Sequence, residues 1–430
     1  MKHLKVALKK LATWGLLSLC GYGVLTTLVY GQESIDERTG TYVYAWSGLD
    51  ALFNGEAFGF FTDTPVATPL QGRDGPYILD STLFHIDENS RLTGIPLNVR
   101  EPVRVRVANA DRDSFSFYVR PAPAPPSPTC PLPARLLAIS DIEGNFNALA
   151  DLLQRNGVVD RQYNWTYGPG HLVLNGDFVD RGEAVTPVLW LLYKLEGQAE
   201  QAGGKVHFIL GNHEVMNLYG DLSHAQRKYI GAAQRISGQR RWDQAGQALY
   251  SPRSEMGRWL RTKNVIEKIG PYLFVHAGLK PKLVAEGLGT TELNRIARKY
   301  YGTRAPTQDG KSREGTVLSS YDGPYWDRGL AMNWLYRAAF FVRDPFNAAY
   351  HRTTQAELEQ VLRFYQAARV VIGHSVVDEV TADYEGHVLK IDVKHGREKG
   401  SDRTQGLLIE NGAEYRVNGK GEKTRIGTAA

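Results

Sequence analysis

The sequence predicts an α/β fold preceded by a small β-rich domain, and three observations carry that reading. After Ala134, five apolar segments alternate with helical stretches: "ARLLAIS", "HLVLNG", "KVHFILGN", "YLFVHAG" and "ARVVIGHS", each running into glycine and polar or charged residues. That alternation marks a sheet whose functional loops gather at the carboxyl ends of its strands. Between Gln32 and Arg120 the pattern is short and β-like, with "TYVYAW", "PYIL", "VRVRVA" and "SFSFYV" separated by Gly, Asp, Asn and Pro clusters. The stretch "PAPAPPSPTCPLP", Pro121 to Pro133, is too rich in proline for a helix or a central strand and divides the two styles.

Taken in order, residues 1–31 open with Lys2, Lys5, Lys9 and Lys10 and continue from Leu11 to Gly31 without one charge. This is the layout of a signal peptide, so the protein is expected to be exported, either free in the periplasm or anchored to a membrane facing it. Cleavage after Gly31 is favoured, although at ~1.5 Å per residue the same run is long enough for a membrane tether through residues 11–31. Leu19 is too large for the lipidation signal that Cys20 would otherwise suggest. Residues 32–120 read as the β-rich accessory domain, 121–134 as a stiff Pro-rich linker and 135–430 as the main α/β domain. Within the last, Val215–Ile269 reads as a helical, aromatic and basic insertion and Lys280–Phe340 as a loop-rich one, both placed to wall a site.

With 42% of its 430 residues hydrophobic, the chain can bury one large core and a smaller one. The formal charge of +5 sits in the leader, for without its four lysines the count is 47 Lys and Arg against 46 Asp and Glu. That balance gives no support for nucleic-acid binding, which calls for a concentrated basic face. With Cys20 in the leader, Cys130 stands alone, so no disulfide is expected within the mature chain. One cysteine also supports neither a zinc cluster nor a thiol framework. No internal repeat is visible.

The strand ends collect Asp141 and Glu143 in "SDIEGN", Asp177, Asp180 and Arg181 in "NGDFVDRGE", Asn212, His213 and Glu214 in "GNHE", His276 in "VHAG" and His374 in "IGHS". A single Asp after a strand is usually a helix N-cap. Five such ends in order, each beside a glycine, are not explained as caps. Carboxylates, imidazoles and an amide oxygen form a mixed O/N ligand set suited to Mn, Fe or Zn rather than calcium. Asp177 lies between the carboxylate pair and the histidines and can bridge two metals. Two metals about 3.5–4 Å apart would clamp a phosphoryl oxygen and turn a bridging water into hydroxide. His213, fixed by Asp180, is the natural acid for the leaving alkoxide, and Arg181 offers a planar fork for phosphate.

The order D-x-x-G, "GDFVDRG", "GNHE", "HAG" and "GH" resembles the calcineurin-like metallophosphoesterases. "GDxxDRG" with "GNHE" narrows the resemblance to the phosphoprotein phosphatase branch, and "GNHEVMNLYGDL", "GRWLRTKNVIEKIG" and "DGPYWDRG" are similar to bacterial Shewanella-like protein phosphatases. The resemblance covers about Arg135 to His395 and leaves the N-terminal module outside. It implies a four-layer α/β/β/α metallophosphoesterase sandwich, with 135–430 as its catalytic domain. It further implies one metal on Asp141, Glu143 and Asp177 and a second on Asp177, Asn212, His276 and His374. His213 with Asp180 becomes acid and orienter, and Arg181 and Arg328 hold phosphate. Asp327 precedes Arg328 where the subgroup more often has an aromatic.

The family has D-x-H-G where this chain has Asp141-Ile142-Glu143-Gly144. A glutamate reaches about as far as the distal imidazole nitrogen, so it can take the same position. Three carboxylates on one ion favour harder cations, which makes two divalent ions, Mn first and Fe, Zn or Mg behind, the expected cofactors. The rival arrangement turns Glu143 outward and leaves one metal tightly bound. His207, His224 and His395 read as satisfied or solvent-facing, Trp259 and the aromatics of "GPYWDRG" as buried within the insertions, and Gln239-Arg240-Arg241 as a solvated helix face. The expected activity is a metal-dependent phosphomonoester hydrolase using a dimetal-bound hydroxide as nucleophile, first of all a protein phosphatase acting on Ser/Thr or Tyr phosphate. One alternative is a periplasmic phosphatase of small molecules or nucleotides. The other is a catalytically impaired phosphate- or partner-binding protein. The expected partners are accordingly a phosphorylated protein or a small phosphate ester.

Overall fold

Two six-stranded mixed sheets occupy the centre of the computed structural model, which describes residues 2–30, 32–46, 58–121, 124–303, 312–318, 321–333, 336 and 351–427. Gly31 of the expected cleavage site and parts of the 280–340 insertion lie outside the described residues. From edge to edge the first sheet runs Lys205–Ile209, His171–Asn175, Arg135–Ile139, Gln405–Glu410, Ala413–Asn418 and Lys423–Arg425. The second runs Thr381–Asp383, Val388–Lys390, Arg369–Ile372, Tyr272–Val275, Ile266–Ile269 and Thr129–Cys130. In each, three strands lie parallel: Arg135–Ile139, His171–Asn175 and Lys205–Ile209 in one, Tyr272–Val275, Arg369–Ile372 and Val388–Lys390 in the other. All five apolar segments of the sequence are among them.

These strands read as continuous apolar runs because both of their faces are buried. Leu136 and Ala138 join Val173, Phe274, Val371 and Leu407 in a cluster drawn from both sheets, while Leu137 and Ile139 join a larger cluster that includes the helices Phe146–Arg155 and Val185–Gln201. Each fully buried aliphatic of this kind contributes about 1.5–3 kcal/mol. Helix Phe146–Arg155 starts where Asn145 accepts a hydrogen bond from the Ala148 amide at 3.1 Å, so the chain turns from strand to helix just after Asp141 and Glu143.

The insertion after Val215 is helical as expected, with helices Arg227–Ser237, Trp242–Leu249 and Glu255–Leu260. The stretch expected to be loop-rich contains helices Pro281–Ala285, Thr290–Tyr300 and Arg313–Leu318. Helix Thr290–Tyr300 buries Leu293, Ile296 and Ala297 at helical spacing among a polar and charged majority that hid the period.

The N-terminal strands form small antiparallel sheets: Gln32–Ile35, Thr41–Trp46 and Phe58–Pro65 in one, Asp74–Leu79, Thr82–Ile86 and Leu92–Pro96 in the next, and the hairpin Val103–Arg106 with Ser114–Phe117. They share their core with the α/β part. Phe117 stacks on Trp190 at 4.3 Å, the Trp190 indole N–H donates to the Pro76 carbonyl at 2.7 Å, and that of Trp242 donates to the Val66 carbonyl at 3.0 Å. The Pro-rich stretch is also tied down, since Thr129–Cys130 pairs in parallel with Ile266–Ile269 at the edge of the second sheet. A helix spans Lys2–Tyr30, and among the described residues no helix is long and apolar enough to cross a membrane.

Candidate functional site

The carboxyl ends of the six parallel strands converge on one place. Asp141 follows Arg135–Ile139, Asp177 follows His171–Asn175, Asn212 follows Lys205–Ile209, His276 follows Tyr272–Val275, and His374 follows Arg369–Ile372. The sixth strand, Val388–Lys390, leads to Asp392, which is 3% exposed. The turns that place these groups are unusual: Asp141, Glu143, Asp177, Asp180, Arg181 and His374 all have positive φ, between 47° and 66°. For a residue with a Cβ, each such turn costs on the order of 1 kcal/mol or more, and such strain collects at functional sites. Two glycines make room where no side chain fits. A Cβ at Gly176 would lie 2.3 Å from His276 Nδ1, and one at Gly211 would lie 2.2 Å from Asp177 Oδ1.

Hydrogen bonds fix which atoms face inward. His276 Nδ1 donates to the Asn175 carbonyl at 2.8 Å, so Nε2 points to Asp177 Oδ2 at 3.1 Å and Asn212 Oδ1 at 3.1 Å. The His374 amide donates to Asp141 Oδ2 at 3.2 Å, and His374 Nε2 is buried with no hydrogen-bond partner. Asp177, His276 and His374 each offer a donor atom, all within 4.8 Å of one another. An orphaned buried imidazole nitrogen beside a carboxylate, an amide oxygen and a second imidazole fits a divalent cation.

Charge tells the same story. Burial, followed by the neighbouring Asp392 carboxylate, pushes Asp141 well above the usual carboxylate range. Burial, Glu143 and Asp177 carry Asp392 up to about 8. Burial also raises Asp177, but His276 and His213 together bring it below the usual range. A cluster this rich in buried carboxylates holds fewer positive groups than it needs.

His213 opens helix Asn212–Leu218, and its Nδ1 sits 2.7 Å from Asp180 Oδ2. Its Nε2 lies 3.2 Å from Arg181 Nη2 and 3.8 Å from Asp177 Oδ2. Burial alone would lower the imidazole, but Asp177 and Asp180 carry it up to about 9, so it holds a proton at neutral pH. His374 is the opposite case, held well below the ordinary value by burial, Arg328 and His276, and therefore neutral.

Asp141 stands beside the Asp177, His276 and His374 group, its Oδ2 held by the His374 amide, while Glu143 and Arg328 make other contacts. The Glu143 carboxylate is ion-paired with Arg181 and does not join the Asp177, His276 and His374 group. Arg328 Nη1 donates to the His374 carbonyl at 2.8 Å and to Ser375 Oγ at 3.0 Å, with its cation 5.2 Å from the Tyr336 ring, which places it on the wall of the site. Its neighbour Asp327 is buried, 3.6 Å from Lys280, and accepts from the Gly329 amide at 2.7 Å, so the unusual Asp serves the interior.

Asn217 and Asp392 were not among the sequence candidates, and Glu214 and His224 were named there without the contacts they make. Glu214 accepts from the amides of Gly211, Asp177 and Phe178 at 2.8, 2.9 and 2.7 Å, tying the "GNHE" turn to the "GDFVD" turn. Asn217, one helical turn beyond His213, donates to Asp180 Oδ1 at 2.9 Å. The His224 ring lies 4.9 Å from that of His213 while keeping the solvent exposure expected of it. Asp392 had a signal in its place after a strand in "KIDVKH", three residues before His395, whose Nε2 donates to the Ser140 carbonyl at 2.9 Å. Trp259 is fully buried, as expected of a packed insertion.

The Calcineurin-like phosphoesterase family profile matches residues 134–378, more than half of the chain. Shewanella-like protein phosphatase 2 of Arabidopsis thaliana is 38% identical over 96 residues, 22% of this chain and 25% of that protein. Shewanella-like protein phosphatase 1 of Plasmodium berghei (strain Anka) is 26% identical over 242 residues, 56% of this chain and 61% of that protein. The chain thus spans less than two thirds of either curated relative. Among solved structures, a cold-active protein-tyrosine phosphatase of a psychrophilic Shewanella species matches with a TM-score of 0.68 and 27% identity, covering 83% of this chain and 100% of its own. That share exceeds residues 135–430, so the likeness reaches into the N-terminal strands, beyond the Arg135 to His395 span of the sequence resemblance. With its family match running through the strand ends that carry Asp141, Asp177, His276 and His374, the chain belongs to the calcineurin-like metallophosphoesterases, a family of metal-binding hydrolases.

Proposed function

We propose that the protein is a metal-dependent phosphomonoester hydrolase whose substrates are phosphorylated proteins. The observation that carries this reading is the placement of His213, 2.7 Å from Asp180, beside both Asp177 and Arg181. An acid, its orienting carboxylate and a phosphate-binding guanidinium have no common use in a protein that only binds. In this reading the four-layer α/β/β/α order holds, supported by the two apolar clusters on opposite faces of the sheets.

Asp177, Asn212, His276 and His374 would hold one ion, and Asp141 with Asp177 the other, with Glu143 released from Arg181 to join them. The ions, Mn first, supply Lewis-acid polarisation of the phosphoryl group and an activated water. The chain's own residues do the rest. Arg181 and Arg328 orient the phosphate oxygens by planar hydrogen bonding. His213 Nε2 carries the proton that the leaving alkoxide needs, and Asp180 and Asn217 hold its ring in position. Arg181 shifts from Glu143 to substrate, an exchange of one anion for another.

Export to the periplasmic side belongs to the same proposal, supported by the charge-free run from Leu11 to Gly31. The test is competition: phosphotyrosine and phosphoserine peptides against nucleoside phosphates at equal concentration. A kcat/KM for a phosphopeptide at least tenfold above that for any nucleotide supports the proposal. The reverse order assigns the site to small phosphates, and no turnover of either in any metal assigns it to binding.

A further inference from the structure

Cys130, His171 and His207 meet where the two sheets adjoin, remote from the strand ends described above. His171 opens the strand whose other end leads to Asp177, and roughly 13 Å of strand at ~3.3 Å per residue lies between His171 and Asn175. Cys130 sits on the edge strand Thr129–Cys130 of the second sheet, while His171 and His207 come from neighbouring strands of the first. A bridge between Ile209 and Asn264 joins the two sheets nearby. The sequence reading counted cysteines alone and found one; the fold supplies two imidazoles beside it.

Each of the three residues offers a donor atom, all within 4.8 Å of one another. His207 Nε2 lies 3.0 Å from His171 Nδ1 and 4.0 Å from Cys130 Sγ. A tetrahedral zinc ion, with nitrogen at about 2.0–2.1 Å and sulfur at about 2.3 Å, sets such pairs about 3.3 and 3.6 Å apart, so small shifts suffice. His207 Nδ1 donates to Glu267 Oε2 at 2.5 Å, which directs the Nε2 lone pair towards the other two residues. Glu267 Oε1 is held by Asn264 Nδ2 at 2.8 Å, and Asn264 Oδ1 by Arg298 at 2.6 Å. A carboxylate behind the imidazole, itself anchored, is the arrangement that orients histidines on metals. A His–His hydrogen bond would account for the 3.0 Å contact but gives the sulfur no part.

We propose that Cys130 Sγ, His171 Nδ1 and His207 Nε2 form a separate site for a divalent ion of the zinc type. One thiolate and two imidazoles are a softer set than the carboxylates of the strand ends, so this site selects Zn(II) or Co(II) over Mn or Mg. Cys130 releases its proton to solvent as the ion binds, and the half-buried setting of Cys130 and His171 leaves a fourth position to water. The ion staples the end of the Pro-rich segment to both sheets.

Co(II) substitution of the full-length protein tests this, because Cys130 and Cys20 are its only cysteines and the strand-end cluster contains no sulfur. The proposal predicts a near-ultraviolet sulfur-to-cobalt charge-transfer absorption in the wild type, kept in Asp177→Asn and lost in Cys130→Ser. Glu267→Gln should weaken Zn(II) binding by about 10- to 100-fold. Absence of the absorption from wild-type protein saturated with Co(II), or its persistence in Cys130→Ser, overturns the proposal. The wild-type spectrum decides even where a variant fails to fold.

Discussion

His213 holds its proton only while the carboxylates around it stay charged. Its value of about 9 depends on Asp177 and Asp180, and ions bound at Asp177 take back part of that pull. The proton is present below the imidazole's pKa and lost as pH rises through it. Turnover of an alkyl phosphate should therefore fall along an alkaline limb between the ordinary 6.5 and about 9, while an activated aryl phosphate shows little of that limb. Asp180→Asn should move the limb to lower pH, read from paired kcat profiles; a limb that stays in place separates Asp180 from the acid. His213→Asn should slow the alkyl phosphate by about 10²- to 10⁴-fold and the aryl phosphate much less. Equal losses on both substrates would assign His213 to something other than proton delivery. Most of these residues were legible in the sequence because each closes an apolar run with a glycine beside it. His224 was not, because it comes from a turn with no strand before it, and the position of Glu143 against Arg181 is a contact that no pattern encodes.

At the scale of elements, the site is held by turns rather than by the strands themselves. Six left-handed residues persist there, and fully buried Glu214 holds the turn of one of them by accepting from the amides of Asp177, its neighbour Phe178 and Gly211. Glu214→Gln replaces an acceptor oxygen by an amide donor facing backbone N–H groups, which should cost about 1.5–3 kcal/mol in denaturant unfolding. A change within 0.5 kcal/mol would mean that the two turns hold without it. The parallel strands were legible since burial on both faces removes every polar interruption. The hairpin Gln405–Glu410 with Ala413–Asn418 was passed over, as was helix Thr290–Tyr300. Strand Ala413–Asn418 alternates Glu414 and Arg416 with apolar residues, and in the helix polar and charged residues outnumber the apolar ones.

The N-terminal strands and the α/β part unfold together in this account, because among the described residues Tyr77, Ile86, Val105 and Phe117 belong to the same core as the helices of the α/β part. Phe117 lies between Trp190 and Tyr193, at 4.3 and 5.4 Å, and its removal empties space shared by both parts. Phe117→Ala should cost about 3–5 kcal/mol and leave a single thermal transition; two separated transitions would show that the parts fold independently. The proline-rich division was plain in the sequence, yet composition could not reveal the shared core, since the contacts across it join residues more than seventy positions apart. The central claim is that the strand ends hold two ions bridged by Asp177 and hydrolyse phosphomonoesters. The most direct measurement is metal content and aryl phosphate turnover on the same Mn-loaded samples of the wild type and Asp177→Asn. The account predicts that the variant loses two ions per chain and its turnover together. Loss of fewer than two ions, or turnover that survives in the variant, would contradict it.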